Sequence, residues 1–198
     1  MKSLGRPGAE AHDRLARGME LSGRLVDAIR EEFPAFRIVR KAESRLSSAI
    51  DWALKLVTVG GQRDYMTRYH TVIGDTLYVP LSWDRTPDVE RAIVLRHERI
   101  HLRQRRRLGL PLMTFLYLIP FLPLGLAYGR ARLEWEAYAE TLRATAELAG
   151  LAAVRSPELR AQIVARFTGG AYGWMWPFRR TVERWYDGVL AEIEGCLP

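Results

Sequence analysis

AIVLRHERIHLRQ, residues 92–104, sets two of the chain's four histidines four residues apart, with a glutamate directly after the first. On an α-helix, residues i and i+4 lie on one face about one turn apart, so His97 and His101 point their imidazoles the same way. The flanks predict that helix. Thr86 suits the N-cap, Pro87 the first helical position, and Asp88 and Glu90 the positive end of the helix dipole. RQRRR, residues 103–107, complements the negative end.

Two imidazoles on one face supply two corners of a tetrahedral zinc site. Glu98 lies one residue round, displaced too far to ligate but near enough to reach a metal-bound water, which is the geometry of a general base. The bland alternative is a solvated basic helix with two idle histidines. A third ligand decides between them, and LEWEAYAE, residues 133–140, offers candidates on the next firm helix. Glu134 and Glu136 stand about 200° apart on a helical wheel, so only one of them can face a metal. Glu136 has Glu140 one turn further on, with Ala137 and Ala139 between them to allow close packing. A carboxylate at i+4 can accept a hydrogen bond from the free ring nitrogen of a ligand histidine.

His97-Glu98-x-x-His101 followed by Glu136-x-x-Ala139-Glu140 resembles the gluzincin metallopeptidases, in which HExxH precedes a helix bearing Glu-x-x-x-Asp or Glu-x-x-Ala-Asp. The resemblance implies zinc held by His97, His101 and Glu136, with Glu98 as base and Glu140 as the acid behind the ligands. It also implies Glu134 pointing away from the metal. Glu140 departs from the family's aspartate. The resemblance further implies a minimal gluzincin core, in which HTVIG or TLYVP forms a cleft-edge strand for an extended peptide. The terminal EGCLP, residues 194–198, is similar to a peptide deformylase motif, but in those enzymes the cysteine precedes HExxH. Cys196 is therefore expected to be dispensable for metal binding.

Residues 108–129, LGLPLMTFLYLIPFLPLGLAYG, carry no charge and by length could cross a bilayer. Pro111, Pro120 and Pro123 would break such a helix. A span would also carry its ends about 30 Å apart, whereas His101 and the glutamate ligand must both come within roughly 2 Å of one ion. The run is read as a hairpin-like insertion, buried or dipping into a membrane surface.

Elsewhere, residues 1–8 read as a loose tail. Helices are expected over 9–32, 42–57, 130–148, 157–167 and 178–193, from apolar positions at helical spacing. FRIV (36–39) is a short strand, and MTRYHTVIG with TLYVP makes a hairpin turning at Gly74-Asp75. The fold class is α+β and mainly helical. A small antiparallel sheet or hairpin packs beside the HERIH helix, and a second helix gives the third ligand, all in one domain over 1–198. Hydrophobic residues make up 48% and charged residues 27%, as a folded chain requires. GGAYGWMWPFRR (169–180) reads either as a core-closing loop or as a cleft wall. In the latter case Tyr172 or Arg179 would stabilise an oxyanion, and His70 is a further candidate for substrate contact.

The net charge of +7 comes almost entirely from arginine. No nucleic-acid-reading motif accompanies it, so a nucleic-acid-binding helical protein is the least favoured reading. The first is zinc-dependent hydrolysis of a peptide or protein substrate. Its rival is a catalytically silent zincin-like scaffold. One cysteine and the lack of an apolar h-region in MKSLGRPGAEAHDRL lead to a cytoplasmic expectation, with 108–129 able to contact a membrane surface.

Overall fold

The computed structural model describes residues 21–41, 70–118, 127–169, 175–176 and 178–196. The expected tail, the expected helix over 42–57 and Tyr172 lie outside them. A helix over residues 21–32 (α1) leads into strand β1, Arg37–Arg40. Strands β2, Thr71–Ile73, and β3, Thr76–Val79, follow, then a 3-10 turn at Leu81–Arg85. The remaining helices are α2 Asp88–Leu108, α3 Leu110–Leu118, α4 Tyr128–Ala149, a single turn α5 at Leu151–Val154, α6 Pro157–Thr168 and α7 Arg179–Gly195. The mainly helical α+β class is as the sequence predicts.

The hairpin forms where expected: β2 and β3 pair antiparallel with Val72 opposite Leu77, and Gly74 turns the chain at φ +61°. The sheet as a whole is mixed, because β1 lies parallel to β3 on its other side, in the order β1-β3-β2. A parallel neighbour needs a long crossover rather than a tight turn, and the chain between Arg40 and Thr71 is long enough to supply one. β3 is thereby central, with Leu77 and Val79 fully buried. They pack with Ile29 of α1 and Phe33 just past its end, and with Leu95 and Leu102 of α2. A second core lies beyond α4, where Leu142, Val154, Phe167, Val182 and Tyr186 meet. Tyr186 keeps its buried hydroxyl satisfied by donating to the Val154 carbonyl at 2.6 Å.

α2 stands between the two cores, with one face on the sheet and the other on α4. Its start differs by one position from the sequence reading. The helix begins at Asp88 behind Pro87, and Thr86 donates its hydroxyl to the Ser82 carbonyl instead of capping. Asp88 accepts from the backbone N–H and the hydroxyl of Ser22, which fastens α1 to α2. Most of the arginines along α2 are engaged by the chain's own carboxylates. Arg99, Arg103 and Arg106 converge on Glu32; the Arg103 hydrogen bond, with Arg99 beside it, holds the Glu32 carboxyl down at about 2. Arg105 reaches Asp75, and Arg107 reaches Glu136.

The uncharged run opens with α3. A Cβ placed on Gly129 would stand 2.8 Å from the Leu116 carbonyl oxygen, so glycine permits α3 and α4 to meet. Among the described residues, no helix is long and apolar enough to cross a membrane.

Candidate metal centre

Where α2 faces α4, three side chains converge. His97 Nε2 and His101 Nε2 are 3.2 Å apart. Glu134, projecting from α4, places one carboxylate oxygen 3.6 Å from His97 Nε2 and the other 3.7 Å from His101 Nε2. Donor atoms each about 2.1 Å from one tetrahedral ion stand about 3.4 Å from one another. The cluster therefore has the span that a single cation fills, and His97, His101 and Glu134 can hold a metal ion.

The hydrogen bonds behind the histidines fix which nitrogen is available. His97 Nδ1 lies 2.9 Å from Thr141 Oγ1, whose own hydroxyl is donated to the Ala137 carbonyl. Thr141 can then only accept, so His97 carries its proton on Nδ1. His101 Nδ1 lies 2.9 Å from Gln104 Oε1. The Gln104 amide NH2 donates to the Leu133 carbonyl and to Glu136 Oε2, which orients its Oε1 as the acceptor. Both rings thus present an Nε2 lone pair to the same point, the tautomer that metal ligation requires. Thr141→Val and Gln104→Leu should each lower affinity for a divalent metal ion by about 10- to 100-fold, measured by competition with a chromophoric chelator. Unchanged affinity in both variants would remove the tautomer argument.

Glu98 is buried on α2, next to His101. Burial pushes its carboxyl up to about 7; the Glu134 charge adds to that, while His101 and Lys41 oppose it. Lys41, just past β1, is itself 1% exposed. A carboxyl poised near neutrality can take up and return a proton at working pH.

The carboxylate that meets the histidines is Glu134, not Glu136. Glu136 is 46% exposed at its side chain and serves at one remove, accepting from Gln104 and pairing with Arg107 at 3.5 Å. Glu140 does not stand behind either histidine; it accepts from Arg96 Nε at 2.6 Å. The residues in that supporting place are Thr141 and Gln104. His70, at the mouth of β2, meets Trp83 edge-on at 5.2 Å. Burial, with Lys41 and His97 adding to it, drives its imidazole down to about 4. It is therefore a neutral ring near the His97 side of the centre. Arg179 is exposed on α7 with its guanidinium bonded to Glu183. Cys196 is exposed at the end of α7 and takes no part in the cluster.

No protein-family model, curated protein or solved structure matches the chain.

Proposed function

We propose that the chain is a zinc-dependent peptidase in which His97, His101 and Glu134 hold the ion and Glu98 is the general base. The observation that carries this reading is the convergence of two Nε2 lone pairs and a buried carboxylate beside a second, proton-exchanging carboxyl. Two histidines and one glutamate are a donor set suited to zinc with one position left open. When bound, zinc polarises a substrate carbonyl and acidifies water. Glu98 accepts the proton of the attacking water, then returns it to the nitrogen of the leaving amine. Thr141 and Gln104 keep the imidazoles oriented throughout. Of the gluzincin-like pattern this proposal keeps the HExxH half; the downstream half is not kept, because Glu134 takes the place expected of Glu136 and Glu140 pairs with Arg96.

A silent metal-bound scaffold is the second reading. It draws support from the low exposure of the ligand side chains, 8% for His101 and 5% for Glu134. Metal analysis and turnover together separate the two. The purified protein is expected to carry stoichiometric zinc and to cleave a quenched-fluorescence peptide mixture. A chelator should stop cleavage and added zinc restore it. Zinc without cleavage of any peptide favours the scaffold, and protein that takes up no zinc overturns both.

A further inference from the structure

α3 shows water what helices normally hide. Leu110, Leu112 and Phe115 are 52%, 47% and 49% exposed, on a helix with no charged residue anywhere along it. The apolar surface continues past α3. Leu116 backs onto Gly129, and the adjacent Tyr128 is 44% exposed. The Tyr128 ring meets Trp176 at 5.4 Å, and Trp176 meets Phe178 at 5.3 Å. Phe178 is 55% exposed. Aliphatic side chains therefore grade into aromatic ones along one connected surface, of the kind that marks an interaction site.

Its border is cationic. Arg106 and Arg107 close α2 immediately before α3; each pairs with a carboxylate, Glu32 at 3.1 Å and Glu136 at 3.5 Å, yet their side chains remain 59% and 63% exposed. Arg132 and Arg180 are exposed one short step beyond Tyr128 and Phe178. No acidic residue occurs between Arg107 and Glu134, nor between Gly169 and Thr181. Tyrosine and tryptophan beside exposed aliphatics, edged by arginine, match the layered chemistry of a bilayer surface: acyl chains, interface, then phosphate. A second copy of this chain would bring two arginine borders together, at a repulsive cost.

We infer that this surface docks the protein on an anionic lipid bilayer, with Leu112 and Phe115 entering the acyl boundary and Arg106 and Arg107 facing headgroup phosphates. The docking is peripheral, and it stands whether or not the metal centre is catalytic. Co-sedimentation with phosphatidylcholine vesicles, with and without phosphatidylserine, tests it. The full chain should sediment with the serine-containing vesicles only, and less so as salt is raised. L112S with F115S should weaken binding by at least roughly tenfold. R106Q and R107Q should each weaken it by about fivefold. Helical signal and zinc content serve as folding controls for these exposed positions. The inference is overturned by failure to sediment with either vesicle, by equal binding to neutral vesicles, or by binding that survives both sets of substitutions. It is equally overturned if L112S with F115S abolishes self-association in a protein that ignores vesicles, which would assign the surface to a second copy.

Discussion

Glu134→Ala is expected to empty the metal centre, and Glu136→Ala to leave it filled. Zinc binding at a complete protein site amounts to about 10–16 kcal/mol, so one ligand of the set carries roughly 3 kcal/mol or more. Losing Glu134 should then weaken zinc by about a hundredfold to a thousandfold, and the rise in melting temperature on adding zinc should vanish. Glu136→Ala removes the exposed partner of Arg107 and one acceptor for the Gln104 amide, which still donates to the Leu133 carbonyl. A loss of about tenfold or less is expected there. Metal content after gel filtration, measured on both variants, decides the matter. Zinc retained by Glu134→Ala and lost by Glu136→Ala would return the third ligand to Glu136.

Glu98→Gln should keep zinc and lose turnover by roughly 100-fold or more, since the amide fills the same space but cannot take a proton. The same substitution has a second signature in the metal-free protein. Burial raises the Glu98 carboxyl from 4.5 to about 7, with Glu134 reinforcing the rise and His101 and Lys41 resisting it. Between those values the folded chain binds the proton more tightly than the unfolded one. The contribution is fully present below about 4.5 and is lost as pH rises through about 7. Its size is on the order of 3 kcal/mol. Chelated wild type should therefore lose stability from pH 5 to pH 8, relative to chelated Glu98→Gln. Zinc should flatten that difference, because a nearby cation favours the carboxylate. Denaturation curves of the two proteins that stay parallel across this range would show that Glu98 is not the buried titrating group.

The metal helix was legible because its signals are local. His97 and His101 at i and i+4, the acids at one end and the arginines at the other need no knowledge of what packs nearby. The Gly74-Asp75 turn is local in the same sense. The parallel pairing of β1 with β3 was not, since nothing within RIVR specifies its partner or direction. The choice between Glu134 and Glu136 turned on tertiary packing, yet a signal for it was present. Ala131, Glu134, Ala137, Tyr138, Thr141 and Thr145 form one stripe of α4, and Glu134 is its only charged member. Glu136, Glu140, Arg143 and Glu147 form a charged stripe, and Arg96 takes Glu140 and Glu147 from it. A lone acid among small and apolar neighbours marks the side that is buried. Gln104 and Thr141 were missed because their roles depend on which carbonyls they meet across the α2–α4 interface.

The paired tautomers also determine what the gap between the two rings will accept. With both Nδ1 atoms committed as donors, the two Nε2 atoms at 3.2 Å attract one another only when something positive lies between them. The fold thus prepares an address for a cation through hydrogen bonds made on the far side of both rings, by Thr141 and Gln104.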